Sequence, residues 1–495
     1  MHTDRFTPLD AATLLRWMQH DLPNKQLFGI DRELFFMPKP DDPFRMERYG
    51  KVLETPLGVA AGPHTQLAQN ILSAWLCGAR YIELKTVQVL DELNVAKPCI
   101  DMADEGYNCE WSQELKLDQS FEEYLKAFVL LYVLRDMLNL PVEAKPGKGP
   151  GFIFNMSAGY NLEGIKSPAL QRFLDRMENA EEDVKRIKAG LAPLYPAIEK
   201  MPIPARLSDN LTVSTMHGCP PDEVESIGRY FITERKYNTA IKLNPTLLGP
   251  ERLRDILNTQ LGYDVCVPDE AFGHDLKYND GVAIIRNLAA AAETAGVAFG
   301  LKLTNTLETA NEKQNLPRSE GMVYMSGRSL HPISINLAER LQQEFDGKLD
   351  IAFSAGVDTF NVADTLACGL RPITMSSDIL KPGGYGRLHQ YLDTLRAEMR
   401  KAGAHTIAEW EKSRSPIAGN PGFANLVSYA AAVLGKRSRY HKERFPYVSV
   451  KTERPLPRFD CAAAPCMSGC PAEQDIPRYL DAVARGDFEL AWRVI

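Results

Sequence analysis

The chain has 495 residues, of which 44% are hydrophobic and 24% are charged, and its formal net charge is −7. This composition is typical of a globular protein, and the acidic balance argues against a general nucleic-acid binder while allowing a local basic pocket for a phosphate. The length suits two or three ordinary domains, or one large barrel with an appendage.

Residues 1–50 predict a helical extension. The stretch "TPLDAATLLRWMQ" (7–19) has the pattern of a capped helix. The first residues carry acids and lack the apolar core of a signal peptide, and no run approaches the roughly 20 apolar residues of a membrane span. These features predict a cytoplasmic protein that makes no membrane contact.

Between residues 51 and 400, a short β-rich run, a turn and a longer helical stretch alternate. The eight runs are "TPLGVAAG" (55–62), "YIELKTV" (81–87), "FIFNMSAG" (152–159), "LTVSTMHG" (211–218), "TAIKLNP" (239–245), "AFGLKLTNT" (298–306), "DIAFSAG" (350–356) and "RPITMSS" (371–377). Alternating strands and helices imply parallel pairing. Eight units predict an α/β fold of the (β/α)8 TIM-barrel type, with an open parallel sheet as the alternative.

After residue 400 the alternation stops. Residues 401–450 predict a helical segment and a linker, and residues 451–495 hold three clustered cysteines followed by a helical pattern, "IPRYLDAVARGDFELAWRVI" (476–495). Because this pattern runs to the last residue, the chain is expected to be a fragment of a longer polypeptide.

The ends of the predicted strands carry the chemistry, because active sites of such barrels lie at the C-terminal ends of the strands. Lys85, Lys242 and Lys302 lie within strands, where a buried ammonium is costly without an anionic or electron-rich partner. Side chains that reach the rim are the alternative interpretation. "SAG" and "MSS" offer backbone N–H groups to a phosphate, or are plain tight turns.

Cys219 lies in "STMHGCPP" (214–221), where a predicted strand gives way to a helix. Packing is the commonest role of a lone cysteine, and metal ligation is disfavoured because only His217 is near. Reaction is favoured by the position at the barrel mouth and by the two prolines that stiffen the loop. A thiol pKa of about 8.5 lets cysteine act as a general acid or base, so Cys219 is the candidate catalytic residue.

Several motifs, in their order along residues 50–390, resemble the flavin barrels of the dihydroorotate and dihydropyrimidine dehydrogenase type. They are "TPLGVAAGP", "ELKTV" followed by "KPCI", "HGCPP", "IKLNP", "TNT" and "SGRSLHPISI". The resemblance implies that the barrel binds FMN. It implies that the flavin ring and its ribityl chain contact Ala60, Ala61, Gly62, Lys85, Thr86 and Lys242, and that the flavin phosphate contacts Gly327, Ala355, Gly356, Ser376 and Ser377. The substrate-binding residues that it implies are Asn108, Asn161, Asn305 and Thr306. The sequence departs from that family at Met216, where asparagine is usual, and at Ala355, where glycine is usual.

The cysteine cluster has the spacing C-x4-C-x3-C-P. Thiolates at such spacing can bind iron, zinc is the competing metal, and three idle cysteines are the remaining alternative. The stretch resembles the iron–sulfur domain of glutamate synthase small subunits and of dihydropyrimidine dehydrogenase. That resemblance implies that Cys461 and Cys466 serve one [4Fe–4S] cluster and Cys470 another. The ligand set is incomplete within this chain, and Arg458 stands where the family often has a further cysteine.

The chain as a whole is similar to the N-terminal half of the bacterial selenate reductase iron–sulfur subunit family. The resemblances imply a flavin-dependent oxidoreductase that reduces a C=C or C=N bond of a pyrimidine- or purine-like heterocycle. No dinucleotide-binding glycine motif occurs in the sequence, so FAD and NAD(P)H are expected only in a missing C-terminal part or a partner, with electrons relayed through the clusters. An electron-transfer subunit and an inactive scaffold are the alternatives, and redox partner subunits and a homodimer are further expectations.

Overall fold

A computed structural model describes residues 7–88, 99–102, 104–109, 114–159, 161–214, 218–312, 316–415, 419–445, 470–472 and 474–495. Eight strands form a closed barrel. They are β1 (Leu57–Val59), β2 (Tyr81–Glu83), β3 (Ile153–Ala158), β4 (Asn210–Ser214), β5 (Asn238–Leu243), β6 (Phe299–Leu303), β7 (Ile351–Phe353) and β8 (Ile373–Met375). Every neighbouring pair is parallel, and β8 pairs with β1 to close the ring. The predicted TIM barrel is therefore confirmed, and each strand falls within or next to one of the eight predicted runs.

Helices follow each barrel strand, as right-handed crossovers between parallel strands require. In chain order they are Ala68–Leu76, Leu117–Met137, Leu162–Ile165, Pro168–Glu178, Glu181–Leu191, Pro221–Thr233, Pro250–Arg254, Asp269–His274, Tyr278–Ala295, Leu330–Glu344, Val362–Ala367 and Arg387–Lys401. Helices outside the repeat are Ala11–Asp21, Ile407–Arg414, Pro421–Ala432, Ile476–Ala484 and Phe488–Val494. The first of these begins where the sequence predicts it, because Asp10 accepts a hydrogen bond from the Thr13 N–H at 2.8 Å.

Short strands complete the fold. Two hairpins pair Gln26–Leu27 with Ile30–Asp31 and Met46–Arg48 with Lys51–Leu53. A four-stranded antiparallel sheet, here called the mouth sheet, has the order Leu307–Ala310, Met322–Gly327, Glu105–Asn108 and Ile100–Met102. Its strands come from the connections after β2 and β6, so residues of both connections meet at the C-terminal end of the barrel.

The barrel interior is packed tightly between neighbouring strands. Gly58 in β1 shows the constraint, because a Cβ at this position would lie 1.9 Å from the Tyr81 carbonyl oxygen of β2. At the N-terminal end of the barrel, the buried Glu54 carboxylate accepts hydrogen bonds from Arg80 Nε at 2.6 Å and from Arg135 Nη1 at 3.1 Å. This ion cluster closes the end of the barrel opposite to the mouth.

The segment 419–445 packs against the barrel and differs from its predicted form. The sequence pattern predicts one helix over 424–445, but the helix ends at Ala432 and residues 433–445 continue as turns. The helical pattern of residues 167–194, "SPALQRFLDRMENAEEDVKRIKAGLAPL", likewise forms two helices, Pro168–Glu178 and Glu181–Leu191. The linker predicted at the end of the segment 401–450 lies, from residue 446 onwards, outside the described residues.

Candidate active site

A cavity of about 370 Å³ opens at the C-terminal ends of the barrel strands. Its wall includes residues at or just beyond the ends of all eight strands, together with four residues of the mouth sheet. The principal lining residues are Ala60, Ala61, Lys85, Thr86, Asn108, Gly159, Ser214, Lys242, Thr304, Asn305, Thr306, Tyr324, Ser326, Gly327, Leu330, Ala355, Gly356, Thr374, Ser376, Ser377 and Asp378. The cavity volume lies within the range of about 300–1,000 Å³ that is usual for small-molecule and cofactor sites.

Two of the three strand lysines line this cavity, and the third lies below it. Lys302 of β6 is 1% exposed and is bound to the Glu83 carboxylate of β2 and to Thr374 Oγ1 of β8. Thr374 Oγ1 also donates to Glu83 Oε1 at 3.1 Å. Glu83 thus holds the charge of Lys302 in the barrel centre, and Lys85 and Lys242 are the lysines that reach the cavity wall.

Lys242 is a cation of the cavity wall with a strongly lowered pKa. It lies directly across the β5–β6 ladder from Lys302. The pKa of Lys242 is lowered to about 8, chiefly by burial and in part by the charges of Lys302 and Lys85, against the opposing effect of Glu83. The folded protein therefore holds a costly positive charge at the cavity wall, and an anionic or electron-rich ligand would offset that cost.

The loops after β7 and β8 and the mouth-sheet strand Met322–Gly327 meet on the other side of the cavity. Gly356 has φ +54°, and a Cβ there would lie 2.1 Å from the Gly327 carbonyl oxygen, so the two backbones pack directly together. Ser377 Oγ donates to Ser326 Oγ at 2.8 Å. The helix Leu330–Glu344 begins at this wall, which directs the positive end of its dipole towards the cavity.

Asp378 also lines this side, where an uncompensated carboxylate would repel an anion. Arg387 binds it through two hydrogen bonds, Nε to Oδ2 at 2.8 Å and Nη2 to Oδ1 at 2.9 Å. Because the carboxylate is paired in bidentate fashion, its charge is neutralised locally.

Amide side chains line the part of the cavity near the mouth sheet. Asn305 Nδ2 donates to Asn244 Oδ1 at 2.8 Å, and Asn108 Nδ2 donates to the Tyr324 carbonyl oxygen at 3.3 Å. Asn161, also predicted to bind substrate, is not among the lining residues. It is exposed and caps the helix Leu162–Ile165 by accepting from the Gly164 N–H at 2.8 Å.

Cys219 lies on the loop between β4 and the helix Pro221–Thr233, as the sequence predicts. It is half-buried and is not among the residues that line the cavity. Burial raises the pKa of the Cys219 thiol to about 11, and the acidic residues Glu223 and Asp222 add to the effect. The thiol is therefore protonated at neutral pH, the form that a proton donor requires.

Gly62, another predicted flavin contact, is buried in a turn beside the cavity. The Gly62 N–H donates to Thr65 Oγ1 at 3.2 Å, and the Thr65 hydroxyl donates to the Gly62 carbonyl oxygen at 3.0 Å. Of the residues predicted to contact the cofactor or the substrate, only Gly62 and Asn161 are absent from the cavity wall.

A hydrogen-bond chain joins the loop after β7 to the segment 419–445. The pKa of His331 is lowered to about 4 by burial, so the ring is neutral at pH 7. Its Nδ1–H donates to the Ala355 carbonyl oxygen at 2.7 Å, and its Nε2 accepts from the Tyr429 hydroxyl at 3.0 Å. Tyr440 continues the chain, since its hydroxyl oxygen lies 3.2 Å from that of Tyr429 and accepts from Asn361 Nδ2 at 2.9 Å.

A second connection lies beside Gly327. Arg328 pairs with Asp104 in bidentate fashion, with both N–O distances 2.6 Å, and Lys442 Nζ donates to Asp104 Oδ2 at 3.0 Å and to Glu105 Oε2 at 2.7 Å. Sequence reasoning missed both connections and also missed Glu83. Only Glu83 carried a usable signal, because it stands two positions before Lys85 and therefore faces the same side of its strand.

The predicted metal ligands fall mostly outside the described residues. Cys461 and Cys466 are not described, and Cys470 is half-buried. In the parts of the chain that the structure describes, no group of three or more His, Cys, Asp or Glu side chains could hold a metal ion. The described helices also include none that is both long enough and apolar enough to cross a bilayer.

Comparison with known proteins relates the whole described barrel to one family. Residues 28–417 match the family described as "Oxidoreductase YgfK, N-terminal TIM-barrel domain". The chain is 41% identical over 476 residues to the protein provisionally named oxidoreductase YgfK of Escherichia coli K12, and equally to that of Escherichia coli O157:H7. The match covers 92% of this chain and 44% of each relative, so the chain spans less than half the length of these proteins. Neither relative is named a selenate reductase.

Solved structures with a similar fold include two crystal structures of DHODH from Eimeria tenella. The ligand-free type is 17% identical with a TM-score of 0.48, covering 81% of this chain and 98% of that one. The complex with ferulenol is 15% identical with a TM-score of 0.46, covering 82% and 95%. The family match and the identity to the two YgfK proteins are decisive, and the chain belongs to the family of the YgfK N-terminal TIM-barrel domain.

Proposed function

We propose that this barrel binds FMN and acts as an oxidoreductase on a small heterocycle. The observation that carries the proposal is the layout of the cavity. Lys85 and Lys242 line one part of its wall, and the loops around Gly356 and Ser377 line another. When bound, FMN supplies hydride chemistry, and the protein supplies binding, orientation and electrostatics.

The residues present fit a flavin mononucleotide on physical grounds. The loops around Gly356 and Ser377 are built from small residues, and the helix Leu330–Glu344 begins beside them, as in many phosphate-binding concavities. The buried ammonium of Lys242, with its lowered pKa, suits an electron-rich ring edge, and Lys85 adds a second positive charge. Ala60 and Ala61 contribute small apolar side chains to the same cavity wall.

The substrate class follows from the amides near the mouth sheet. Asn108 and Asn305 each present both a donor and an acceptor, which matches the amide edges of a pyrimidine- or purine-like ring. In this proposal the protonated Cys219 gives its proton to a C=C or C=N bond of that ring. Electrons come from NAD(P)H bound elsewhere, through iron–sulfur clusters that include the three clustered cysteines.

A visible absorption spectrum tests the cofactor part of the proposal. The purified protein, after incubation with FMN and gel filtration, is expected to retain the two absorption bands of an oxidised flavin. A Ser377→Glu variant is expected to lose them, because a carboxylate would face the phosphate, and Ser377→Ala is the matched control that retains them. Equal flavin retention by wild type and Ser377→Glu would contradict the assigned phosphate site.

Substitution of Cys219 tests the catalytic part. Cys219→Ala is expected to keep the flavin and its reduction by dithionite, while turnover of the heterocycle falls by roughly 10²–10⁴, the usual effect of a positioned proton donor. Cys219→Ser, whose hydroxyl can still relay a proton, is expected to retain more activity than Cys219→Ala. Unchanged turnover in Cys219→Ala would show that the thiol only packs.

A second candidate function is an electron relay, in which the flavin passes electrons to a partner reductase. The position of Cys219 outside the cavity wall favours it, because a relay requires no proton donor. The two candidates differ in one measurement. A relay would reduce an artificial electron acceptor equally fast with and without Cys219, and it would show no turnover of any heterocycle.

A further inference from the structure

Two cysteines lie directly opposite each other at the end of the mouth sheet. The antiparallel strands Ile100–Met102 and Glu105–Asn108 pair Ile100 with Asn108 and Asp101 with Tyr107. Continuing this register by one residue pairs Cys99 with Cys109. The pairing is present, because the Cys109 N–H donates to the Cys99 carbonyl oxygen at 2.9 Å.

The geometry suits a covalent link. Residues that face each other in a hydrogen-bonded antiparallel pair have Cα atoms about 5.5 Å apart and side chains on the same face of the sheet. Disulfides join cysteines whose Cα atoms are about 4.4–6.8 Å apart. In this structure both residues are thiols. The proximity of the two sulfurs also appears in the pKa of Cys109, which is raised to about 11 by burial, then by Glu320 and Cys99.

We propose that Cys99 and Cys109 form a redox-active dithiol site, which small disulfides oxidise to a cross-strand bond. Cys99 is the half-buried member, which a small disulfide reaches from solvent, whereas Cys109 is 4% exposed. The Cys99 thiolate attacks one sulfur of the small disulfide and releases one thiol. Cys109 then loses its proton and attacks the Cys99 sulfur, which releases the second thiol. Two cysteine thiols are oxidised, and one small disulfide is reduced to two thiols.

The bond would be readily reversible. Opposite residues have Cβ atoms about 4.5–5.5 Å apart, whereas disulfides prefer about 3.5–4.5 Å, so closing the bond draws the two strands together. Such strained links are the labile, regulatory ones. Because side chains alternate along a strand, the link lies on the face opposite to Asn108, which lines the cavity. Oxidation would therefore restrict the motion of the strand that carries Asn108, and the disulfide would not occupy the cavity.

The test uses the full chain in mixtures of oxidised and reduced glutathione, followed by alkylation and mass spectrometry. Cleavage at Asp101, Asp104 or Glu105 separates the two cysteines unless they are linked. Wild type is expected to give a Cys99–Cys109 peptide pair that disappears on reduction, and neither Cys99→Ser nor Cys109→Ser is expected to give it. Wild type that instead accumulates glutathione on Cys99, with no linked pair, would overturn the proposal.

The single variants separate the two steps. Cys109→Ser is expected to hold glutathione on Cys99, since no second thiol displaces it, and Cys99→Ser is expected to leave the buried Cys109 unmodified. The exposed Cys266 is the internal control for simple accessibility, because it is expected to take glutathione in every variant. Oxidation of wild type is also expected to slow hydrogen exchange of residues 100–108, and unchanged exchange would refute the proposed fixing of that strand. None of these readouts depends on the proposed flavin function.

Discussion

Lys242 and Lys302 are neighbours on adjacent strands, and their replacement by methionine is expected to change stability in opposite directions. Methionine is close to lysine in length and volume but carries no charge. In flavin-free wild type at pH 7, the pKa of Lys242 lies near 8 instead of its ordinary 10.5. At about 1.4 kcal/mol for each tenfold change in the proton equilibrium, keeping this ammonium charged costs the folded protein roughly 3 kcal/mol.

Lys242→Met removes this cost, so the free energy of unfolding at pH 7 is expected to rise by roughly 1–3 kcal/mol, less what the new side chain loses in packing. Lys302→Met has the reverse effect. It leaves the buried Glu83 carboxylate without its ammonium partner, and such a loss typically costs about 3–5 kcal/mol. The two variants thus serve as controls for each other.

The pH dependence of the free energy of unfolding is an independent test of this reasoning. Between pH 8 and 10.5 the unfolded chain holds a proton on residue 242 that the folded chain has lost, so wild-type stability gains from this group as pH rises through that window. Urea unfolding of wild type and Lys242→Met at pH 7 and pH 10 measures the difference. The variant is expected to be the more stable protein at pH 7, with an advantage that shrinks at pH 10. A variant that is less stable than wild type at pH 7, or an advantage that does not change with pH, would refute the reasoning.

Further predictions concern the contacts that hold the barrel ends. Tyr440→Phe removes the hydroxyl that accepts from Asn361, and is expected to cost about 1 kcal/mol in urea unfolding, whereas the same change at the half-buried Tyr479 is expected to cost less. Glu54→Gln leaves two buried arginines without their carboxylate and is expected to cost about 3–5 kcal/mol, with unfolding free energy as the readout and an unchanged value as the contradicting result. Ending the chain after residue 445 is expected to preserve the far-ultraviolet circular dichroism of the barrel and its melting temperature. Ending it after residue 415 is expected to lower the melting temperature, because Tyr429 and Tyr440 are then missing, and equal melting temperatures of the two shortened chains would contradict this.

The barrel could be predicted because its signal is local and repeated. Each β-rich run is followed by its own helix, so the alternation is visible without knowing which strands pair. The wall of the cavity follows from the same rule, since strand ends of a closed parallel barrel meet at one mouth. This is why Lys85, Lys242, Asn305 and Ser377 could be expected to lie around one space from sequence alone.

Other parts of the site depend on contacts between distant residues, which no local pattern records. Lys302 resembles the other strand lysines in sequence, yet it lies below the cavity because Glu83, 219 positions away, binds it. Asn161 was expected to bind substrate, but the short helix that follows it uses its side chain as a cap. The helix predicted over 424–445 stops at Ala432, and the residues that follow instead contact the loops at the barrel mouth.

The hydrogen-bond chain through His331 has a consequence for the order in which the protein is completed during synthesis. The last barrel strand ends at Met375. The His331 ring accepts a hydrogen bond from Tyr429 and stacks on Tyr440, with ring centroids 5.1 Å apart, and both tyrosines belong to the later segment 419–445. A nascent chain that has been synthesised only as far as β8 therefore has every strand of the barrel, but it lacks the tyrosines that contact His331 next to the loop after β7. The loop after β7 therefore gains these contacts only after Tyr429 and Tyr440 have been synthesised, so its support is completed later than the strands of the barrel.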